Sequence, residues 1–449
     1  MSNDKLLKNT IIIMIGNIGT KLIMFIMVPM YTKWLTTSEY GIFDTLISLG
    51  SFLTPIITLQ LEQSVFRIGI ESKENLNEAF RNTIFVSFII FIICFIGILI
   101  YDKTIVSYMF SLYLLGSVII NIFLEYIRGK RRVVEYSIIN ICFTGILLIT
   151  NIIFLWKIGL GIIGVFLAYI ISYLIIVLFL VIRYYSLIEF GINFKLLKKQ
   201  LHFSLPLIPN TICFWITNLS DRFMIMYYLG AEQSGIYAVA TKIPTIITML
   251  YSAFVLAWQE EAIHIINTDN QNEFYTIYKQ VVSILFCCAW LIFSVLRSVM
   301  GYLFDESYQS AIGISVILII ATVFLCLSQF FSGILMAKKE TFLIGTSTVF
   351  AAVGNVIINF MFLKKGLMVA AISTLIAYIL MYMIRMITVS EFIKIRYLLL
   401  YLSMMCLITV IVIIVSYFCS IILTVLLAVF LTLLLNRKII YAAIQKLVG

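Results

Sequence analysis

Proline is nearly missing from this chain, at five positions in 449 residues, and histidine is rarer still, at two. Charged residues make up only 12%, against 63% hydrophobic. So little charge cannot solvate the surface of a water-soluble domain, and the composition excludes that class. His202 and His264 lie outside any H-E-x-x-H pattern and have no cysteine beside them, so metal hydrolysis and Cys/His catalysis lack support. No G-x-x-x-x-G-K-[ST] occurs, so the chain carries no ATP motor of that type. No pair of carboxylates stands out on a wet loop as a glycosyl-transfer site, and no polar interval is long enough for a soluble catalytic domain. The eight cysteines sit in or beside apolar stretches without metal-ligand spacing; they read as small core residues, with Cys287 and Cys288 on different helix faces. No metal, no cofactor and no enzymatic activity is expected.

What the chain has is apolar runs. Stretches long enough to cross about 30 Å of hydrocarbon as helices recur from end to end. The spans read as 11–30, 41–61, 83–101, 104–126, 136–156, 160–182, 204–229, 234–258, 281–303, 311–336, 341–363, 366–388, 397–416 and 419–436. The expected fold is therefore an all-α polytopic membrane protein with about 14 transmembrane helices, or thirteen if the tight turn near Tyr417 to Ser420 does not separate the last two. The first stretch is too long for a signal-peptide core and no A-x-A-type site follows it, so it reads as a retained helix.

The net charge of +10 suggests nucleic acid, but its placement argues otherwise. With the N-terminus inside, Lys33, Lys103, Lys157, Lys364 and Lys365 fall outside, and Lys21, Arg222, Lys242 and Arg297 fall within spans. The remaining Lys and Arg lie on the inner side, including Arg128, Lys130, Arg131 and Arg132, then Lys195, Lys198 and Lys199, then Arg437 and Lys438. This asymmetry predicts cytoplasmic N- and C-termini and no nucleic-acid partner. The basic clusters are orientation signals first and anionic-lipid contacts second.

The two halves resemble each other. Trp34 to Phe43 (WLTTSEYGIF) aligns with Tyr228 to Tyr237 (YLGAEQSGIY), and Asn151 to Lys157 (NIIFLWK) aligns with Asn359 to Lys365 (NFMFLKK). Ala168 to Ile171 then aligns with Ala377 to Leu380. The separation grows from 194 residues at Leu35/Leu229 to 208 at Asn151/Asn359, which points to an insertion in the inner loop near Gln259 to Gln280. Six helices per half is an even number, so both halves enter from one face. The expected plan is two pseudo-symmetric six-helix lobes around a central cleft, at 1–195 and 196–390, with two extra helices and a cytoplasmic C-terminus at 391–449.

All five prolines, and nearly every charge that cannot avoid the membrane, collect on helices 1, 2, 7 and 8 of this scheme. A charge at mid-bilayer costs about 2.5–3.5 kcal/mol on insertion scales. Lys21 lies about 13 Å from the outer end of its helix at about 1.5 Å per residue, too deep for easy snorkelling, and Lys242 is nearly as deep. Arg222 and Arg297 are close enough to the outer surface to snorkel. Asp221 and its neighbour Arg222 cannot face each other on one helix; the plain expectation pairs Asp221 with Lys242 and leaves Arg222 free. Asp44 lies near the outer mouth, where ordinary hydration is open to it. The excess buried charge is positive, which implies an anionic solute. Pro55 and Pro244 are the hinge candidates; Pro29 and Pro206 sit near span ends. Glu62, Gln63 and Arg67, at the inner end of helix 2, read equally as contacts for a solute at the cytoplasmic mouth or as an interfacial polar cluster.

The opening residues Leu7-Lys8-Asn9-Thr10, Pro29-Met30-Tyr31, Leu35, Glu39-Tyr40-Gly41 and Leu61-Glu62-Gln63 through Phe66-Arg67 carry a family resemblance, with Ser220-Asp221-Arg222-Phe223 and Leu229-Gly230 as a matching signature in helix 7. Over about residues 5–390 the chain resembles the polysaccharide transporter (O-antigen flippase-like) family of the multidrug/oligosaccharidyl-lipid/polysaccharide exporter superfamily. The resemblance implies a flippase in a bacterial cytoplasmic membrane that moves a polyprenyl-diphosphate-linked oligosaccharide from inner to outer leaflet by alternating access. It places Lys21, Arg222, Lys242 and Arg297 at the substrate's diphosphate; read from the residues themselves, Arg67 is a further substrate-contact candidate at the cytoplasmic mouth, and Asp44, Asp221 and Glu62 are candidates for ion pairs or gates. It implies membrane lipids, a polysaccharide polymerase and chain-length machinery as partners. The alternatives are a multidrug or metabolite exporter of the same superfamily, which would more often need buried carboxylates, and a membrane glycan polymerase, which would need a large outer loop.

Overall fold

The computed structural model describes residues 3–71, 74–185, 191–268, 271–338, 340–390 and 395–436. The side chains of Leu7 to Thr10 and of His264, and the basic residues Arg437 and Lys438, lie outside the description. Among the described residues the chain is helical without strands, and ten helices are long and apolar enough to cross a membrane. It forms two compact units, residues 1–226 and 227–449.

In the first unit, α1 (Asn3–Trp34) and α2 (Thr37–Ile57) meet at a short turn. Thr36 caps α2 through a reciprocal box with Glu39, satisfying two first-turn N–H groups that helix geometry leaves unbonded. A short α3 (Leu61–Glu71) follows, then α4 (Leu76–Tyr101), α5 (Ile105–Gly129), α6 (Val133–Asn151) ending in a π-turn (Ile152–Lys157), α7 (Gly161–Arg183), α8 (Phe194–Ser204) and most of α9 (Ile208–Leu229). The second unit holds α10 (Ala231–Lys242), α11 (Thr245–Thr268), α12 (Gln271–Leu303), α13 (Ala311–Ala337), α14 (Thr341–Phe362), α15 (Met368–Thr388), α16 (Ile395–Phe418) and α17 (Ile421–Leu435). The expected spans fall on helices, apart from breaks inside 41–61 and 234–258, and Ser420 is the N-cap of α17. The sequence repeat suggested a boundary at residue 195, whereas the compact first unit runs to Met226 and takes in most of α9.

Within each unit the helices pair in the same order. α5 packs on α2, α3, α4 and α7 in the first unit, as α13 packs on α10, α11, α12 and α15 in the second. The second helix of each half is broken. In the first unit the break follows Pro55: Leu59 and Gln60 adopt left-handed φ of 50° and 58°, and the Gln60 N–H donates to the Pro55 carbonyl at 3.1 Å. In the second, Ile243 and Pro244 separate α10 from α11, because proline lacks the N–H that a continuous helix needs. The expected span 41–61 therefore ends early, and Glu62, Gln63 and Arg67 belong to the separate helix α3. The expected loop near Gln259 to Gln280 is also corrected: α11 continues to Thr268 and α12 starts at Gln271, so the extra residues lengthen two helices.

The first unit's core is aromatic. Tyr113 lies edge-on to Tyr169 at 5.3 Å, and Phe143 stacks on Tyr173 at 4.7 Å. Gly69 and Gly129 bring the backbones of α3 and α5 together; a Cβ on Gly69 would stand 2.6 Å from the Gly129 Cα. In the second unit Trp258 stacks on Phe330 at 4.0 Å, and Trp290 Nε1 donates to Thr409 Oγ1 at 2.8 Å, tying α12 to α16. The cysteines are not uniformly core residues. Cys287 and Cys326 are buried, but Cys142 on α6 and Cys419 in the turn after α16 are exposed.

Candidate functional site

The capping box at Thr36 fixes where α2 begins, and Asp44 lies two turns further along it. Tyr40 and Phe43 pack beside it, Phe43 against Phe166 and Tyr169 of α7, so Asp44 is carried on a buried face. Its Oδ2 accepts a hydrogen bond from Arg222 Nε of α9 at 2.7 Å, an ion pair between residues 178 apart in sequence. Two expectations change here. Asp44 is buried rather than hydrated at a mouth, and Arg222 is engaged by Asp44 rather than free. The physical reason is the cost of either charge alone in a low-dielectric interior, which two opposite charges on facing helices offset.

Asp221, the next residue on α9, is buried. Lys21 is exposed on α1 and makes no ion pair among the described residues. In the second unit Lys242 ends α10 half-buried, directly before the Pro244 break, and its carbonyl accepts from the Thr245 hydroxyl. Arg297 is exposed on α12.

On α3, the two residues grouped in the sequence part company. Arg67 turns outward, pairs with Glu71 at 2.7 Å and lies over the Phe203 ring at 4.5 Å. Glu62 turns inward, is 2% exposed, and leaves Oε2 without a hydrogen-bond partner. Burial pushes its carboxyl up to about 7, with the Glu125 carboxylate of α5 adding to the rise. Glu125 is itself held by Arg128 at 2.6 Å.

Sequence reasoning missed one buried cation. Arg385 of α15 is 4% exposed and donates to Ser347 Oγ at 2.9 Å, Ser332 Oγ at 2.7 Å, Thr348 Oγ1 at 2.9 Å and the Ser328 and Ile344 carbonyls at 3.2 Å each. Its place in the last turn of a span made it look like one more inner-face charge. The Ser and Thr spacing on α13 and α14 was the only available signal.

The pair offers a guanidinium whose hydrogen-bonding edge is held by one carboxylate, a group of the type that binds oxyanions.

The fold is similar to that of known membrane transporters. The lipid II flippase MurJ in an inward closed conformation superposes with a TM-score of 0.74 at 13% identity, covering 97% of this chain and 100% of that one. An inward-facing multidrug resistance transporter of the MATE family in the MOP superfamily gives 0.63 at 16% identity, covering 83% of this chain and 95% of that one. A MOP superfamily transporter from Pyrococcus furiosus, described by the reversed polarity of its binding pocket, gives 0.54 at 17% identity, covering 86% and 95%. No curated protein matches the chain. The family model for polysaccharide biosynthesis proteins matches residues 6–258, more than half of the chain and the whole stretch that carries Asp44, Glu62 and Arg222. The chain belongs to the polysaccharide biosynthesis protein family.

Proposed function

We propose that this protein is a flippase that carries a polyprenyl-diphosphate-linked oligosaccharide from the inner to the outer leaflet of a bacterial cytoplasmic membrane. The observation that carries the reading is the buried Asp44–Arg222 pair, a cation kept inside the bilayer yet masked by a carboxylate that a diphosphate can replace. The lipid tail stays in hydrocarbon while the diphosphate and sugars cross the bilayer. Lys21, Arg222 and Lys242 bind the diphosphate, Arg297 assists from α12, and Arg67 meets the substrate at the cytoplasmic side. The helix breaks after Pro55 and at Pro244 take up the bending that alternating access requires. Moving negative charge outward is favoured by about 2.3 kcal/mol per charge per 100 mV of inside-negative potential. The product meets a polysaccharide polymerase and its chain-length machinery on the outer face.

The test uses proteoliposomes holding the full chain and a fluorescent polyprenyl-diphosphate oligosaccharide, read by its accessibility to an impermeant quencher. The wild type moves the probe across the bilayer, and Lys21→Ala and Arg222→Ala do not, although both insert normally. Full flipping by both variants would remove the cationic site. Uptake of organic cations in place of the probe would assign the protein to drug export.

A further inference from the structure

Where α5 ends and α6 begins, the chain turns through Arg131, whose φ of 58° is left-handed, and Arg132, the N-cap of α6. Arg132 donates to Glu135 Oε2 and to the Tyr184 hydroxyl at 3.3 and 3.4 Å, and that hydroxyl donates to Glu135 Oε1 at 2.8 Å. Arg183, at the end of α7, approaches Glu135 at 3.9 Å. One carboxylate is thus approached by two guanidinium groups, and Arg131 lines the adjoining hollow, so basic side chains outnumber the carboxylate among the described residues there. The α6 N-terminus lies there without a side-chain cap, and its dipole adds in the same direction.

An open cavity of about 420 Å³ begins at this spot, lined by Arg131, Arg132 and Glu135 at one end. Its other walls are apolar: Val134 and Ile138, one turn apart on α6, and Phe179 of α7, each about half exposed. Basic residues that merely set orientation need no hollow beside them. A free phosphate would have no use for the apolar wall, and a neutral lipid none for the arginines.

We propose that this groove is a binding site for one anionic phospholipid, with the phosphodiester headgroup on Arg131 and Arg132 and an acyl chain along Val134, Ile138 and Phe179. The site lies wholly in the first unit and stands independently of the transported substrate. A lipid held there bridges α6 and α7 and braces the turn after α5.

Native mass spectrometry of the full chain in detergent, titrated with phosphatidylglycerol or phosphatidylcholine, reads the site directly. The wild type is expected to prefer phosphatidylglycerol, and R131N/R132Q to lose about thirtyfold of that affinity, equivalent to about 1 kcal/mol for each basic residue at a charged surface. Arg131→Asn alone, which tolerates the left-handed backbone and leaves the Arg132–Glu135–Tyr184 contacts in place, loses about fivefold on the same scale. Ile138→Ser weakens both lipids. Excess inorganic phosphate leaves bound phosphatidylglycerol in place. Equal phosphatidylglycerol binding by wild type and Arg131→Asn would overturn the proposal. So would full displacement by inorganic phosphate, which would make this a free-phosphate site.

Discussion

Asp44→Asn and Arg222→Gln, made singly and together, probe the intramembrane ion pair at the level of free energy. Asp44 retains 7% side-chain exposure and Arg222 19%. Breaking a buried pair from one side costs about 3–5 kcal/mol, and the partly exposed guanidinium places Asp44→Asn at the lower end, about 3 kcal/mol. Arg222→Gln strands a carboxylate that can take up a proton, so its cost is smaller, about 2 kcal/mol. The double variant has no net charge to strand and places two amides within hydrogen-bonding reach. Its loss is close to that of the milder single, which gives a coupling energy of about 2–3 kcal/mol. Denaturant unfolding in detergent micelles measures all three.

The flipping assay supplies an independent sign. On the proposed flippase reading, Asp44→Asn unmasks the cation, so a diphosphate substrate binds more tightly and leaves more slowly, and KM and kcat fall together. Arg222→Gln removes the receiving group, and the double variant behaves like it. Strictly additive stability losses would show that the 2.7 Å contact carries no energy. Equal flipping by Asp44→Asn and Arg222→Gln, with normal stability, would show that Asp44 does not mask Arg222.

Three further outcomes follow from neighbouring features. Glu62 has a raised folded pKa of about 7 against a usual 4.5, so the folded state binds its proton more tightly than the unfolded one. Stability then falls as pH rises from about 4.5 to 7, by about 3 kcal/mol in all, and is level above that window; Glu62→Gln flattens this slope, with Glu125 and Arg128 still paired nearby. An unchanged pH–stability curve in Glu62→Gln would refute the assignment. Pro244→Ala restores the missing N–H between α10 and α11, so flipping slows severalfold while thermal stability holds or rises; unchanged flipping would deny the break a role in the cycle. Arg385→Met leaves its five oxygen acceptors without that donor and lowers the unfolding free energy by about 2 kcal/mol in denaturant titrations. A variant as stable as wild type would mean that the cradle is not a stabilising one.

The helices were legible because a bilayer imposes one length on every crossing, and long apolar runs satisfy it without tertiary information. The Pro244 break was legible too, since the residue that causes it also marks it. The break at Thr58 to Gln60 was only half marked: Pro55 pointed to a hinge, but Leu59 and Gln60 are ordinary residues in a left-handed conformation, held by hydrogen bonds to Ile56 and Pro55 carbonyls and by Gln60 Nε2 donating to Thr211 Oγ1 at 3.0 Å. That last bond reaches a helix 151 residues away, beyond any local pattern. The site behaved similarly. Residue type and depth singled out Asp44, Asp221 and Arg222, but which carboxylate meets the arginine depends on how α2 and α9 face each other. Arg385 escaped notice because its acceptors are serines, threonines and carbonyls on two other helices, which leave no charge complement to find.

The contact between Gly69 and Gly129 has a mechanical corollary. No side chain can be added at Gly69 without running into the backbone of the neighbouring helix, so α3 and the end of α5 stay backbone to backbone only while that position is glycine. The adjoining left-handed pair at Leu59 and Gln60 is the nearest joint above that contact. On the proposed reading a swing of α2 would pivot at this corner, and Asp44, more than three turns up the same helix, would travel further than the residues next to the joint.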